Sequence, residues 1–194
     1  MVLPLSFFRQ GPVQHIARTL LGKHLCTRIN KQRTTGIITE TEAYEGHSDK
    51  ACHAYIGKTQ RTAVMYKAGG IAYVYLCYGM YPLFNIVSNQ EGIADAILIR
   101  SIKPIIGIKH MQERRPGKTS LGQGPGVLAQ SLGIQRKHSA LALVQSNQTR
   151  DAIWLEERKH VTNTSIQASK RIGLGQSAQE AADFLWRFSL IQHK

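Results

Sequence analysis

The stretch IITETEAYEGHSDKACHAY, residues 37–55, holds an unusual concentration of acidic side chains. The chain has 12 acidic residues against 25 basic ones, yet four of the twelve fall within ten positions: Glu40, Glu42, Glu45 and Asp49. Successive side chains point to opposite faces of a strand. If residues 37–44 are extended, we expect one face of the strand to carry Ile38, Glu40, Glu42 and Tyr44.

The spacing of Glu40 and Glu42 by itself permits a two-acid glycosidase. Residues two apart on one face of a strand are separated by roughly 6.6 to 6.8 Å. Two carboxylates at about that distance can flank a glycosidic bond and leave room for a water molecule.

The whole chain has the size and composition of one folded unit. Its 194 residues are 42% hydrophobic, which is enough for a sizeable core, so we expect a single domain over residues 1–194. Its three cysteines show no disulfide-like spacing, which predicts free thiols and a reducing compartment. The opening residues lack a basic leader, and no apolar run approaches the ~18 residues of a membrane span. We therefore expect an intracellular protein without membrane contact.

The net charge of +13 predicts a polyanionic partner, and nucleic acid is the first candidate. Seven basic residues and one acid, Glu113, lie between Ser101 and Lys137, and this segment is the best candidate for a phosphate-facing surface. The seven are Lys103, Lys109, Arg114, Arg115, Lys118, Arg136 and Lys137. The alternative is an exposed surface that is basic for other reasons.

Local patterns predict a mixed α and β structure. Pro12 followed by apolar residues at helical spacing predicts a short helix that Gly22 ends. Two β-prone runs separated by the polar turn Asn30–Thr35 predict a hairpin whose second arm carries Glu42. Three further runs predict an antiparallel meander: Ile71–Tyr78, Leu83–Ser88 and Ala94–Ser101.

The second half of the chain predicts further helices and strands. Pro104 is expected to open a helix to about Arg115, and Pro125 a second helix. Between them, Gly117–Gly126 lacks the Lys-Ser/Thr of a P-loop, which leaves a phosphate-binding backbone nest or a plain tight turn. Short strands are expected at Ala140–Val144 and Ile153–Leu155, around the turn Gln145–Asp151. Ser177 with Glu180 predicts a capped helix through Leu185, followed by a last strand over Trp186–Ile191.

Two polar residues of the meander, Asn85 and Arg100, stand in line with apolar neighbours. A buried amide or guanidinium group costs free energy unless it is paired. Each residue therefore either makes a structural hydrogen bond or belongs to a functional site, and the pattern does not decide between these two roles. Four of the seven tyrosines lie within nine residues and suit either base stacking or an exposed sheet face: Tyr73, Tyr75, Tyr78 and Tyr81.

A metal site is not expected. His47, Asp49, Cys52 and His53 are clustered, but they lack the paired spacing of a zinc site, such as C-x-x-C or H-E-x-x-H. No sequence motif supports a cysteine or serine nucleophile.

Several of these motifs occur together and in order, and the set resembles the alkyladenine (3-methyladenine) DNA glycosylase family from about Ala17 to Ser189. They are Glu40-Thr41-Glu42-Ala43-Tyr44, His53, Tyr73-Val74-Tyr75, Tyr78-Gly79-Met80-Tyr81, Asn85, Arg100, Gly124-Pro125 and Arg171-Ile172-Gly173-Leu174-Gly175. The resemblance implies an α+β fold, a compact domain around a curved, mostly antiparallel and barrel-like sheet with surrounding helices. It also implies double-stranded DNA with damaged purines as the partner, with neither metal nor cofactor. A monomer is expected, in the cytoplasm or nucleoid of a bacterium or the nucleus of a eukaryote.

The resemblance also implies roles for single residues. Glu42 matches the general base that activates water for attack on the sugar C1′, Arg100 an arginine that helps to hold this water, and Ile172 a backbone contact near it. Tyr44, His53 and Tyr75 match pocket walls that stack on the extruded purine, and Asn85 matches the residue that crowds the 2-amino group of guanine. Tyr78 matches the intercalating side chain, with Met80 beside it.

Alkylated purines already carry positive charge and leave without a general acid, so a second catalytic carboxylate is not needed. We therefore expect Glu40 to have a supporting role, toward a histidine or lysine. The chain departs from the family pattern at Gln60 and Thr62, and Pro82 follows the Tyr78–Tyr81 motif, so the lesion preference stays open. The competing interpretations are a nucleic-acid binder that does not cut, which the presence of Glu42 and Arg100 disfavours, and a carbohydrate hydrolase.

Overall fold

A computed structural model describes residues 1–144, 150–157 and 165–191. Eight strands lie within these ranges: β1 His24–Ile29, β2 Gln32–Tyr44, β3 Ile71–Cys77, β4 Tyr81–Ser88, β5 Asp95–Ile106, β6 Ala152–Glu156, β7 Ile166–Ser169 and β8 Arg187–Leu190. The α-helices are α1 Val13–Thr19, α2 Ile108–Arg114 and α3 Pro125–Leu132. Short 3-10 helices cover Leu5–Arg9, Ala63–Tyr66, Arg136–His138 and Gln176–Asp183. No helix of the described ranges is long and apolar enough to cross a membrane.

The strands form one curved antiparallel sheet in the order β3-β4-β5-β2-β1-β6, with β8 joined to both β2 and β7. The main core lies between this sheet and the helices, and α1 and α3 bury their apolar faces in it. The expected α+β fold with a curved sheet and surrounding helices is confirmed. The predicted hairpin, the meander β3-β4-β5 and the strand at Ile153–Leu155 are confirmed as well.

Strand β2 organises the sheet because it has three partners. Its first half pairs with β1 through a tight turn in which Asn30 and Lys31 have φ values of 52° and 65°, the left-handed backbone that such hairpin turns need. Its second half pairs with β8, and β5 runs along its other edge. The acidic stretch of the sequence therefore lies at the junction of the sheet.

Because of a bulge at Glu40, the side chains of β2 do not all lie on the faces expected for a regular strand. The pairing of β2 with β5 shifts register on both sides of Glu40, which leaves Thr39 of β2 and Arg100 of β5 without a direct partner. Ile38 consequently packs in the main core with Ala43, and the expectation that it shares a face with Glu42 is wrong. Beyond the bulge the alternation is regular.

The predicted start of a helix at Pro104 is wrong, whereas its predicted end near Arg115 is confirmed. Strand β5 continues through Pro104 to Ile106, and α2 begins only after Gly107, whose φ is 74°. Pro104 pairs with Gly36 next to a second register shift in β2. A proline without a donor is tolerated at such an irregular position of a sheet.

Two further expectations fail near the end of the chain. The capped helix from Ser177 is instead a 3-10 segment that Gln179 interrupts with φ 47° and ψ −129°, and Glu180 pairs with Lys50. Residues 140–144 contribute a single bridge, between Ala142 and Ile71, and no strand. Most of the turn predicted after them lies outside the described residues.

Candidate active site

The register of four neighbouring strands aligns side chains that are far apart in sequence. Tyr73 of β3 pairs with Asn85 of β4, Asn85 with Leu98 of β5, and Leu98 with Glu42 of β2. Directly paired residues of an antiparallel sheet point to the same face. The sheet therefore places an aromatic ring, an amide and a carboxylate in one row.

Glu42 is completely buried, and three donors contact its carboxylate. The Tyr44 hydroxyl donates to Oε2 and the Ile172 N–H donates to Oε1, each at 2.8 Å. The Arg100 Nη1 atom lies 3.2 Å from Oε1. An ionised carboxylate only accepts hydrogen bonds, and this arrangement supplies it with three donors. The structure thus brings Glu42, Arg100 and the Ile172 backbone together.

Tyr44 is held in its protonated form. Burial raises the pKa of its phenol well above the usual value, and the negative charge of Glu42 and the hydrogen bond between them raise it further. The hydroxyl therefore remains a donor to the carboxylate at all physiological pH values.

His53 and two tyrosines form one wall beside this carboxylate. The His53 ring lies edge-on to Tyr75 with a centroid distance of 4.6 Å, and Tyr75 lies 5.5 Å from Tyr73. His53 Nδ1 and the Tyr73 hydroxyl are hydrogen-bonded at 2.9 Å. Burial, and then the positive charge of Arg61, lower the pKa of His53 from 6.5 to about 4, so the ring is neutral at pH 7.

This lowered pKa makes stability depend on pH. Below pH 6.5 the unfolded chain takes up a proton at His53 that the folded chain does not accept until about pH 4. Stability therefore falls as the pH drops from 6.5 toward 4. We expect His53→Gln to lose part of this dependence in urea unfolding measured across that range. The exposed His47 is the control, and equal pH slopes for His53→Gln and His47→Gln would contradict the assignment.

The wall and the donors surround a cavity of about 980 Å³. Of the residues to which the resemblance gives a role, those that line it are Tyr44, His53, Tyr75, Tyr78, Asn85, Arg100 and Ile172. Glu42 lies behind this lining and has no exposed surface of its own. Asn85 is buried and its amide donates to the Tyr73 and Leu83 carbonyl oxygens, so it is both a structural bond and part of the cavity wall.

An exposed hairpin tip borders the mouth of the cavity. Tyr78 is 88% exposed and Met80 67% exposed, between β3 and β4. Tyr78 has a φ of 51°, which is unfavourable for a bulky side chain, and Gly79 follows at 71°. The fold thus holds a large aromatic side chain out in solvent beside the cavity, at a cost in backbone strain.

The residues that depart from the family pattern or follow its motifs, Gln60, Thr62 and Pro82, fit the surrounding turn and strand. Thr62 is fully buried, accepts a hydrogen bond from the Thr59 N–H and donates to the Gly57 carbonyl oxygen, which closes the turn around Gln60. Pro82 lies in β4 outside the residues that pair with β5, so its missing N–H leaves that ladder intact.

Glu40 lies between two arginines. Its Oε1 atom is 3.4 Å from Arg100 Nε and accepts a hydrogen bond from Arg187 Nη1 at 3.0 Å. The expectation of a histidine or lysine partner is therefore wrong. Arg187 pairs directly with Glu42 across β8 and β2, a placement that depends on a long-range register and has no local signal in the sequence.

Arg171, which the sequence places in a motif but to which it gives no role, is buried behind the cavity. Its guanidinium group binds both carboxylate oxygens of Asp49, and neither side chain is exposed. It also donates to the Ala43 and Ala181 carbonyl oxygens at 2.8 and 2.9 Å. Three separate segments of the chain thus converge on one arginine, which precedes Ile172.

The same guanidinium group packs between two aromatic rings, 4.7 Å from the centre of Tyr44 and 5.3 Å from that of Trp186. An arginine in this position fixes the ring that donates to Glu42. The buried plane of Arg171 therefore supports both the Tyr44 and the Ile172 contacts of the carboxylate.

The cluster considered for metal binding is dispersed. Asp49 binds Arg171, His53 binds Tyr73, and Cys52 packs against a second core cluster. Among the described residues, no group of three histidine, cysteine or acidic side chains converges on one point. All three cysteines are free thiols, as expected, and burial raises the pKa of Cys52 to about 12, so it is not a nucleophile at neutral pH.

The basic segment 101–137 is only partly available to a polyanion. Arg114 donates to the Ser131 carbonyl oxygen, and Arg115 to the Ser120 carbonyl oxygen. The other five are exposed: Lys103, Lys109, Lys118, Arg136 and Lys137. At the cavity itself, Lys50 and Arg61 belong to the lining.

Comparison with known proteins agrees with this geometry. The family model for methylpurine-DNA glycosylase matches residues 6–194. Proteins from Chlamydia felis and Chlorobaculum tepidum, both named "Putative 3-methyladenine DNA glycosylase", are 42% and 43% identical, and the alignments cover 97% and 93% of this chain and 96% and 83% of theirs. A protein from Encephalitozoon cuniculi named "Probable DNA-3-methyladenine glycosylase" is 41% identical over 84% of this chain and 78% of its own length.

Proposed function

Since the chain belongs to the methylpurine-DNA glycosylase family, we propose that it excises alkylated or deaminated purines from double-stranded DNA in base-excision repair. The reaction is hydrolysis of the N-glycosidic bond without strand cleavage, in a single domain over residues 1–194 that acts as a monomer. One observation carries the proposal: a buried carboxylate, Glu42, lies among three donors behind an aromatic cavity with an exposed tyrosine at its mouth.

Reaching the glycosidic bond requires that the nucleotide leave the duplex. Extrusion costs a few kcal/mol and least for a damaged or mismatched pair, which favours lesions. The exposed side chain of Tyr78 takes the place of the missing base, with Met80 beside it. The extruded purine then stacks between Tyr44, His53 and Tyr75.

The cavity chemistry suits a purine that leaves without a general acid. Purines alkylated at N3 or N7, such as 3-methyladenine, carry positive charge, which the faces of Tyr44 and Tyr75 attract. A neutral His53 adds no repulsion to the cation. Asn85 narrows the cavity at the position that would crowd a 2-amino group, so we propose discrimination against guanine there.

Glu42 acts as the general base for the attacking water, and Arg100 and the Ile172 backbone hold that water. In the free protein no solvent reaches Glu42, so the carboxylate must become accessible when the nucleotide enters. Catalytic hydrogen bonds often form only in the substrate complex. A shift of the Tyr44 hydroxyl away from Oε2 would supply the necessary room.

The test is a panel of duplexes that each carry one 3-methyladenine, hypoxanthine, ethenoadenine or unmodified adenine. The purified protein is incubated with them in EDTA, and free base is measured by chromatography. We expect release from at least one damaged duplex and none from the unmodified one. Tight lesion binding without release would favour a lesion sensor. Equal binding of damaged and unmodified duplexes without release would leave a general nucleic-acid binder.

We expect Tyr78→Ala to weaken binding of a lesion duplex by about 5- to 150-fold, since stacking contributes about 1 to 3 kcal/mol per base. The fold should be unaffected because the side chain is exposed. Fluorescence anisotropy with a hypoxanthine duplex measures the affinity. Ile108→Ala, which removes an exposed apolar side chain of α2, is the matched control. Equal affinities for the two variants would contradict the intercalating role of Tyr78.

A further inference from the structure

A row of alternating charges runs from the proposed catalytic carboxylate to the surface. Glu42 is 3.2 Å from Arg100, Arg100 is 3.4 Å from Glu40, and Glu40 is 3.0 Å from Arg187. The exposed fraction of the side chains rises along it, through 0%, 12%, 20% and 26%. Arg100 therefore has one carboxylate on each side, and only Glu42 belongs to the proposed reaction.

The row is closed into a ring by a second contact of its outer member. Arg187 Nε donates to the Lys170 carbonyl oxygen at 2.9 Å. Two residues further on, the Ile172 N–H donates to the same oxygen of Glu42 that faces Arg100. Two donors therefore reach Glu42 Oε1 from groups that Arg187 holds. Arg187 contacts Arg100 through Glu40, and it contacts the segment of the Ile172 N–H through the Lys170 carbonyl oxygen.

The ladder between β2 and β5 is irregular at Glu40. Register shifts on both sides of Glu40 leave Thr39 and Arg100 without direct partners, and such irregularities are frequent next to active sites. Glu40 is paired with Ser189 of β8, two residues from Arg187. The carboxylate of Glu40 is paired with guanidinium groups of both β5 and β8.

We propose that Glu40 and Arg187 are positioning residues for the reaction: they fix Arg100 and the Lys170–Ile172 backbone against Glu42. The inference rests on the proposed function of Glu42. The side chains of Arg100, Glu40 and Arg187 are only 12 to 26% exposed, so removing one member of this arrangement also lowers the free energy of unfolding. The effect of the arrangement on the reaction lies in holding two donors in register on one carboxylate oxygen.

The test compares Glu40→Gln with the wild type in single-turnover excision and in lesion binding, across a range of pH. Small misplacements of supporting groups can cost up to about 100-fold in rate, and we expect a loss of about 10- to 100-fold with affinity unchanged. With the charge of Glu40 gone, Arg100 faces Glu42 alone. The acid limb of the pH–rate profile should therefore move to lower pH, which a purely structural role would not produce.

Asp183→Asn is the matched control, because it removes an exposed partner of Lys170 with the same change of charge. It should leave rate and profile unchanged. In the double variant Glu40→Gln/Arg187→Gln the loss should be no greater than in the worse single variant, since the two act in one ring. Additive losses, or a rate that falls only in step with the melting temperature, would overturn the inference.

The outcomes also separate this inference from the proposed function. A wild-type protein that releases no base overturns both. An active wild type, an inactive Glu42→Gln and a fully active Glu40→Gln would overturn the positioning role alone.

Discussion

Replacing Glu42 with glutamine is expected to lower the single-turnover rate of base release by about 10²- to 10⁴-fold, the usual contribution of a general base. Glutamine keeps the shape of the side chain and an oxygen that can accept from the Ile172 N–H. It cannot take a proton from water. Because Glu42 does not line the cavity, the walls that contact the base remain, and lesion binding should persist.

The measurement is release of hypoxanthine from a duplex under enzyme excess, together with the affinity for the same duplex. Glu91→Gln, which removes an exposed acid, controls for the change in net charge. Excision by Glu42→Gln at the wild-type rate would eliminate Glu42 as the base. Equal loss of binding and release would instead indicate that the glutamine disrupts the cavity.

The largest effect on stability is expected for Asp49→Ala, with a loss of about 3 to 5 kcal/mol in the free energy of unfolding. Asp49 and Arg171 are both fully buried, and removing the carboxylate leaves a guanidinium charge without its partner. Urea denaturation monitored by tryptophan fluorescence measures the change. Asp183→Ala removes an exposed ion pair and should have an effect of about 0 to 1 kcal/mol.

Removing both charges separates the unpaired charge from lost packing. Replacement of a complete buried pair by apolar side chains is often nearly neutral. The double variant Asp49→Leu/Arg171→Met should therefore be less destabilised than Asp49→Ala. A double variant that is as unstable as the sum of the two single variants would contradict the view that an unpaired charge causes the loss.

Much of the sheet follows from local patterns in the sequence. The hairpin β1-β2 and the meander β3-β4-β5 were predictable because their strands alternate, are rich in β-branched and aromatic residues, and end at turn residues. Pro104 misled the prediction because a proline after a polar residue usually marks the start of a helix. The sheet irregularity that accommodates it depends on Gly36, which is distant in sequence.

The site was predictable where its residues are local or match the family. Glu42 and Tyr44 are two residues apart on one face, and the structure brings them together with Arg100 and Ile172 as expected. The partners of Arg171 and Glu40 were not predictable. Arg171 lies 122 residues from Asp49 in the sequence. No periodic pattern indicates which buried acidic side chain pairs with which basic side chain. The bulge at Glu40 leaves no mark in the sequence either.

The central claim is that this chain hydrolyses the bond between a damaged purine and its sugar. Its most direct test is incubation of the wild-type protein, in EDTA and in excess, with duplexes that each carry one 3-methyladenine, hypoxanthine or ethenoadenine, followed by a denaturing gel before and after alkali. For at least one of these lesions we expect an intact strand before alkali and cleavage at the lesion afterwards, at a rate that Glu42→Gln lowers by about 10²- to 10⁴-fold. Strands that stay intact after alkali for every one of these lesions, with the duplexes still bound, would contradict the claim.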